Sequence, residues 1–175
     1  VKLWLGYLAD RSGRKDDAKN FFKSALEIST DYCNPFRLET ISVIEKAKEY
    51  FPDNDKLFYY LGNLYYNKQV EKAVVEWGKC VEINPSFALA WRNLGWAYWK
   101  YFRSYDKAAE AYKKAIELDP KQPIFLEEID QVYEAKGENV QTRYDLLKSR
   151  HDIGAKRYYP LANEVITGTF VGDYE

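Results

Sequence analysis

Amphipathic stretches alternate with short polar breaks along the whole chain. Within each stretch apolar residues recur every three or four positions, as they do from Trp91 to Trp99. This spacing predicts α-helices that bury one face against a neighbour. The composition agrees, because 16 Tyr, 9 Phe and 5 Trp stand against only 6 Pro and 9 Gly. We therefore expect an aromatic-rich, all-α protein.

The pattern also repeats at a fixed interval. Leu61-Gly62 returns as Leu94-Gly95, 33 residues later, and each pair is followed by a second stretch that ends at a proline, Pro85 or Pro120. An earlier copy is centred on Leu5-Gly6. Self-similarity at this interval indicates helical hairpins that bury their apolar faces by stacking on one another.

The recurring order of Leu-Gly, tyrosine, alanine, an aromatic residue, a small residue and proline resembles the tetratricopeptide repeat, a helix-turn-helix unit of about 34 residues. The resemblance implies a right-handed α-solenoid of about nine to ten helices, which we expect to form a single array over residues 1–175. Its expected segments are repeats at 1–30, 55–86 and 88–121, an abbreviated repeat at 31–54, a divergent repeat at 123–151 and a truncated repeat at 157–175.

Packing explains why these residue types recur. Small residues let two helices approach, and large residues fill the space beside them. The small residues are Gly6, Gly62 and Gly95 in the first helices and Ala18, Ala73 and Ala108 in the second; Phe22, Trp77 and Tyr112 fill the space beside them, and Ala25, Cys80 and Ala115 admit the next repeat. Pro85 and Pro120 stop the second helix of their repeats, because proline lacks a hydrogen-bond donor.

Two segments depart from the pattern. Residues 31–54 predict one helix, from about Pro35 to Tyr50, with Asn34 as its cap and Cys33 packed beneath it. In the divergent repeat, Asp130 occupies the small-residue position and Thr142 the alanine position. A carboxylate between closely packed helices must be paired, so we expect Asp130 to bond to a neighbouring helix.

A narrower resemblance rests on residues 31–39, 60–66, 91–94 and 126–133. These segments are similar to a bacterial family in which such an array follows an N-terminal domain of unknown function with β-sandwich character. The resemblance implies no activity. The chain begins with Val1 inside an amphipathic stretch and contains no methionine, so we expect a piece of a longer protein, cytoplasmic by default. Apolar surface at both ends of such a piece predicts some self-association.

Charge and composition exclude several functions. The 26 Lys and Arg residues nearly cancel the 27 Asp and Glu residues, so we expect neither nucleic acid nor a membrane as partner. A single histidine, His151, excludes most histidine-based catalytic and metal sites, and Cys80 lies at a packing position. The segment from Gly168 to Gly172 lacks the Lys-Ser/Thr ending of a phosphate loop. We expect no enzyme activity, cofactor or metal.

The resemblance places a concave groove along the first helices, and helical projection assigns exposed positions to it. We expect the groove to contain Trp4, Tyr7, Arg11, Lys56, Tyr59, Asn63, Tyr66, Asn67, Leu89, Arg92, Trp96, Trp99, Lys100, Glu127, Gln131 and Glu134. Such aromatic, amide and arginine side chains are enriched in recognition surfaces. A terminal-carboxylate clamp is rejected, since Tyr59, Ile124 and Glu128 replace its basic residues. In the competing interpretation these aromatics pad neighbouring helices, or the C-terminal helices cover the groove.

The favoured function is a non-catalytic module that binds an extended peptide or a helix of a protein partner, or another domain of the parent protein. A second hypothesis makes the array an accessory to an enzymatic or sugar-recognising N-terminal domain, since aromatic platforms also suit sugars. A third makes it a structural spacer or oligomerisation element.

Overall fold

The computed structural model describes residues 1–30, 35 and 37–173, and this part of the chain forms helices and no strand. The helices are α1 (Lys2–Arg11), α2 (Lys15–Leu26), α3 (Thr40–Tyr50), α4 (Asp55–Tyr65), α5 (Val70–Ile83), α6 (Ala88–Lys100), α7 (Tyr105–Leu118), α8 (Pro123–Lys136), α9 (Val140–Ser149), α10 (His151–Gly154) and α11 (Tyr158–Val171). The predicted all-α fold is confirmed. The described residues contain eleven helices rather than nine or ten, and α10 is a single turn too short to leave a periodic pattern.

The helices form two compact units, Val1–Pro85 and Ser86–Glu175. In the first, α1 pairs with α2 and α4 with α5, while α3 packs on both α1 and α4. In the second, α6 pairs with α7, α8 packs on α7, and α11 packs mainly on α9. The first unit is therefore built from two helical hairpins and the single helix α3, and the second from two hairpins followed by α10 and α11.

A close contact between a glycine and an aromatic ring holds each regular hairpin together, in line with the predicted roles of small and large residues. A methyl group added to Gly6 would lie 2.6 Å from the ring of Phe22, and one added to Gly95 would lie 2.9 Å from the ring of Tyr112. Gly62 lies against Trp77 in the same way. Real side chains do not approach this closely, so only glycine permits the observed spacing of the two helices.

The small residues of the second helices are also placed as predicted. Ala18, Ala73, Ala108, Cys80 and Ala115 are fully buried, and Ala25 is half-buried. Helices α5 and α7 end at Ile83 and Leu118, two residues before Pro85 and Pro120. These positions follow from the proline, which cannot donate the next helical hydrogen bond.

The helix of the abbreviated segment begins later than predicted. It starts at Thr40 rather than near Pro35, and Arg37 and Leu38 supply the carbonyls that the amides of Thr40 and Ile41 bond. The periodic apolar face that ends with Val43, Ile44 and Ala47 begins only at the buried Thr40, and a short helix is stable only where it has a face to bury. The predicted roles of Cys33 and Asn34 lie outside the described residues.

The divergent hairpin replaces the glycine and alanine with a buried ion pair. Fully buried Asp130 accepts hydrogen bonds from Arg143 Nε at 2.8 Å and Nη2 at 3.0 Å, and from Asn163 Nδ2 of α11 at 2.7 Å. The predicted bond to a neighbouring helix is confirmed. The assignment of Thr142 to the alanine position was wrong by one residue, because Thr142 is exposed and Arg143 is the buried fourth residue of α9, as Ala108 is of α7.

Candidate interaction surface

The candidate residues of α1 remain accessible. The indole of Trp4 and the ring of Tyr7 meet edge to face with centroids 6.1 Å apart. Trp4 and Arg11 are exposed and Tyr7 is half-buried. Paired aromatic rings offer a large apolar area with few rotatable bonds, which suits contact with a partner. Helix α1 thus presents two rings and a guanidinium on one side.

Lys56 has a structural role at the end of α2. Its ammonium group donates to the carbonyl oxygens of Leu26 at 2.6 Å and Ile28 at 2.7 Å, at the C-terminal end of α2. A cation at this end satisfies carbonyls that lack helical partners and interacts favourably with the helix dipole. The side chain therefore joins the start of α4 to the end of α2, and its amine is not directed at a ligand.

Helix α4 uses Asn63 and Tyr66 to hold Trp77. The Asn63 side-chain oxygen accepts a hydrogen bond of 3.0 Å from the Trp77 indole, and the Tyr66 ring lies 5.8 Å from that indole. Both residues are half-buried, and Asn67 beyond them is exposed. Tyr66 and Asn67 therefore form the accessible edge of this helix.

Helix α6 carries a cluster of two cations and two indoles. The ammonium group of Lys100 lies 3.2 Å from the ring centroid of Trp99 and 5.1 Å from that of Trp96, and the Arg92 guanidinium lies 5.3 Å from Trp96. The two indoles meet edge to face at 5.5 Å. Loss of surrounding water lowers the pKa of Lys100, although the Glu128 carboxylate opposes this. Favourable cation–π contacts thus fix the orientation of the half-buried Trp96.

Glu128 binds Arg92 within this surface. Arg92 Nε donates to Glu128 Oε2 at 2.7 Å, and the Nη2 atom donates to the other carboxylate oxygen. Glu128 is buried, whereas the side chain of Arg92 is partly exposed. Such a paired contact fixes the guanidinium plane that lies over Trp96. The sequence did not predict this contact, although an acidic residue facing a first-helix arginine would have been a usable signal.

The predicted positions on α8 are also engaged. Glu127 accepts a hydrogen bond of 2.8 Å from Arg157, and Gln131 donates to Glu127 at 3.4 Å. Glu134 lies 3.3 Å from Arg143. Leu89, at the start of α6, is half-buried. The three α8 residues therefore make polar contacts with one another or with Arg143 and Arg157.

Two candidate aromatics are buried, and the expectation that they are exposed was wrong. Only 6% of Tyr59 and 8% of Trp99 is accessible. Trp99 packs in a core cluster with Ala109 of α7 and Val132 of α8, and the alanines of α7 leave room for its indole. Tyr59 lies 5.8 Å from the ring of Tyr60, which is buried as well. The competing interpretation, that some of these rings pad the helices, holds for these two residues.

The remaining residues considered for catalysis or phosphate binding, namely Cys80, His151 and residues 168–172, have structural or surface positions. Burial raises the pKa of the Cys80 thiol to about 12, which suits a core residue and not a nucleophile. His151 is exposed with its Nδ1 atom 3.0 Å from Glu164, and residues 168–172 form the end and cap of α11. Within residues 1–30, 35 and 37–173, no cluster of ligands could hold a metal ion, and no helix is long and apolar enough to cross a membrane.

A cavity of about 510 Å³ lies between α6 and α7. Its apolar side is formed by Trp91, Leu94 and Tyr98, and its polar rim includes Lys107 and Lys114. The sequence analysis did not predict this cavity, because helical periodicity shows which residues share a face but not whether their side chains fill the space between two helices.

Comparisons with known proteins agree with this repeat architecture. Residues 1–32 and 88–122 match the tetratricopeptide repeat family. The fold is similar to the MamA RS-1 ArsTM double mutant, with a TM-score of 0.68 and 12% identity over 89% of this chain and 86% of that one. It is similar to the Arabidopsis OM64 TPR domain, with a TM-score of 0.56 and 16% identity over 66% of this chain and 94% of that one.

A third similar structure is a hetero-tetramer of the APC/C, Cut9–Hcn1, with a TM-score of 0.63 and 17% identity over 94% of this chain and 35% of that one. Identities this low establish the fold alone. The repeat matches carry the family assignment, and repeats of this kind are generally non-catalytic scaffolds for protein–protein interaction. The chain thus contains tetratricopeptide repeats at residues 1–32 and 88–122 within an all-helical repeat fold.

Proposed function

We propose that the chain is a non-catalytic scaffold that binds an extended peptide or a helix of a protein partner through accessible aromatic side chains of its first helices. The family matches support the general class of function. One structural relative, Cut9–Hcn1, is itself a complex of two kinds of protein. The specific contact residues rest on the geometry of α6 within the second unit.

The observation that carries the proposal is the orientation of Trp96. It is half-buried, and two cations lie near its indole, with Arg92 at 5.3 Å and Lys100 at 5.1 Å from the ring centroid. A ring that is already held loses little conformational entropy when a ligand stacks on it. Lys100 is exposed, and among the described residues no carboxylate lies within ion-pair distance of it, so it is available to an acidic group of the ligand.

The accessible set is smaller than the set expected from the sequence. Lys56 caps a helix, Tyr59 and Trp99 are buried, and Arg92 is bound to Glu128. We therefore assign ligand contact to Trp96 and Lys100 on α6 of the second unit. Within the first unit, the accessible candidates are Trp4, Tyr7 and Arg11 on α1 and Tyr66 and Asn67 at the end of α4. Aromatic residues and arginine at such positions typically dominate binding energy.

A displayed library of random peptides tests the proposal. Peptides selected on the wild-type protein should bind Trp96→Ala at least about tenfold more weakly, as expected for loss of an aromatic anchor. Lys100→Ala should weaken binding of the acidic members selectively. The matched control is Val75→Ala, which removes an exposed apolar side chain from the second helix α5 and should leave affinity unchanged.

Circular dichroism must show that each variant keeps its helical content, because lost folding would imitate lost binding. Failure to select any peptide, or equal weakening by Val75→Ala, would contradict the proposal. Binding of arrayed glycans in place of peptides, abolished by Trp96→Ala, would instead support the alternative of an accessory to a sugar-recognising domain. Absence of both ligands would favour the structural spacer.

A further inference from the structure

The turn between α6 and α7 has an unusual backbone conformation. Arg103 lies in the left-handed region, with a φ of 50°. The turns of two other hairpins reach the same region with glycine, at Gly13 with a φ of 77° and at Gly137 with a φ of 76°. A residue that carries a Cβ atom adopts this conformation at a cost in free energy that glycine avoids. Such backbone outliers cluster at sites that contact ligands, so this turn is a candidate for one.

The same turn exposes two aromatic rings. Tyr101 is 49% exposed and Phe102 is 41% exposed. The turns between α1 and α2 and between α4 and α5 place the polar residues Ser12 and Lys68 in water instead. Neighbouring aromatic rings cost free energy when they are left in water, and they are enriched where proteins contact partners. We call Tyr101, Phe102 and Arg103 the turn surface.

The turn surface adjoins the cavity between α6 and α7. The ring of Phe102 lies 6.4 Å from that of Tyr98, and Tyr98 forms one wall of the cavity together with Trp91 and Leu94. All the residues that line the cavity belong to the second unit. Its volume of about 510 Å³ is within the range of about 300–1,000 Å³ that is typical of ligand sites. A large apolar side chain bound there would also contact Phe102.

Positive charge surrounds this end of the cavity. The rim of the cavity carries Lys107, Lys113 and Lys114 against Glu110 and Glu117. Arg103 and Lys107 are exposed, and the ammonium group of Lys107 lies 5.8 Å from the ring centroid of Tyr98. Among the described residues, neither cation forms an ion pair, because the neighbouring Asp106 lies 2.9 Å from Lys136 instead. Both cations can therefore pair with acidic groups of a ligand.

We infer that the turn surface and the adjoining cavity bind a segment of a protein partner in which acidic residues flank a large apolar side chain. The apolar side chain enters the cavity beside Phe102, and the acidic residues pair with Arg103 and Lys107. An anionic membrane fits this site less well, because membrane attachment depends on basic and apolar residues spread along a helix or over a polybasic segment. Here they occupy one short turn of a chain with a net charge of −1.

This inference is independent of the proposed function. It uses the side of α6 that carries Tyr98, and it assigns no role to Trp96 or Lys100. The peptide site at Trp96 and the site at the turn can therefore fail separately.

A displayed library of random peptides tests the inference when it is selected on the wild-type protein and counter-selected on Phe102→Ser. The recovered peptides should contain Asp or Glu next to a large apolar residue. Fluorescence polarisation should show that such a peptide binds Phe102→Ser at least about tenfold more weakly than the wild type, as expected for loss of an aromatic anchor. Added salt should weaken its binding, because salt screens the acidic contacts. Ala111→Leu, which enlarges a side chain that lines the cavity, should weaken its binding as well.

Arg103→Gly separates binding from folding. It removes a cation and relieves the left-handed backbone, so it should raise the urea midpoint of unfolding. It should nevertheless bind the recovered peptide about threefold more weakly, as expected for loss of one exposed charge contact. Lost folding cannot imitate this result, because stability and affinity change in opposite directions. The matched control is Lys68→Ala, which removes an exposed cation from the turn between α4 and α5 and should leave affinity unchanged.

Failure to recover acidic, apolar peptides would overturn the inference, as would wild-type affinity in Arg103→Gly or a urea midpoint that this variant does not raise. Recovered peptides whose binding Trp96→Ala abolishes would belong to the other site, which would overturn this inference and leave the proposed function intact. Binding to vesicles of phosphatidylcholine and phosphatidylserine that Phe102→Ser abolishes would assign the turn to a membrane. Self-association that Phe102→Ser abolishes would assign it to a second copy of the chain. Either result would overturn the inference.

Discussion

Asp130 and Arg143 form a paired ion contact at the position where the regular hairpins place a glycine and an alanine. Both residues are buried, and Arg143 Nε and Nη2 each meet one carboxylate oxygen. The hydrogen bond to Asp130, assisted by its charge, raises the pKa of the Arg143 guanidinium, although burial opposes this. Leu147 stands where the regular hairpins have an aromatic ring, so the third position of the motif has changed as well. The divergent repeat has thus exchanged shape complementarity for charge complementarity.

Breaking this pair should destabilise the protein strongly. Among the described residues, Arg143→Ala leaves the buried Asp130 carboxylate with Asn163 as its one remaining partner, and we expect a loss of about 3–5 kcal/mol in the free energy of unfolding. The double variant Asp130→Gly/Arg143→Ala restores the residues of the regular hairpins and should lose less than Arg143→Ala alone. Urea denaturation followed by circular dichroism measures both. A double variant less stable than Arg143→Ala would contradict this expectation. It would show that the buried Asp130 carboxylate carries no net penalty once Arg143 is removed.

Two glycine-to-alanine substitutions should change the free energy of unfolding in opposite directions. Alanine favours a helix interior over glycine by up to about 1 kcal/mol. At Gly95, however, the added methyl group would lie 2.9 Å from the Tyr112 ring, so Gly95→Ala should destabilise the protein by about 1–3 kcal/mol. At Gly78, inside α5, no atom lies within 4 Å of the added group, and Gly78→Ala should stabilise it by about 0.5–1 kcal/mol. Equal shifts in the two unfolding midpoints would contradict the close-approach interpretation.

Sequence reasoning succeeded where a residue type has only one packing solution. The close approach at Gly95 and the helix ends before Pro85 and Pro120 were predicted, because sterics and the missing proline donor dictate them. It failed for Trp99, because an indole at such a position can be either buried or exposed. Here its burial depends on residues of α7 and α8 that pack against it. The Arg92–Glu128 contact was missed for the same reason. Side-chain partners 36 residues apart are fixed by the separation of helices, which periodicity does not give.

Removal of the Lys56 amine should separate a structural role from a binding role. Lys56→Met keeps the aliphatic stem but loses the bonds to the carbonyls of Leu26 and Ile28, so we expect a loss of about 1–3 kcal/mol in the free energy of unfolding. Lys68→Met, at an exposed position between α4 and α5, is the control and should change it by less than about 0.5 kcal/mol. Thermal denaturation at low protein concentration measures both. Lys56→Met with wild-type stability but weakened peptide binding would return this residue to the candidate surface.

The Cys80 thiol should be inert in the folded protein. Burial raises its pKa from an ordinary value near 9.0 to about 12, so almost no thiolate exists at pH 8. In a Cys33→Ser variant, which leaves Cys80 as the single thiol, an aromatic disulfide reagent should release no colour until denaturant is added. The raised pKa contributes stability that is fully present below the pKa of the unfolded thiol and is lost as the pH rises from about 9 towards 12. The free energy of unfolding of Cys33→Ser should therefore fall more steeply in that window than that of Cys33→Ser/Cys80→Ala, which has no thiol to ionise. Rapid labelling of the folded Cys33→Ser protein at pH 8 would show that Cys80 is accessible and would contradict its assignment to the core.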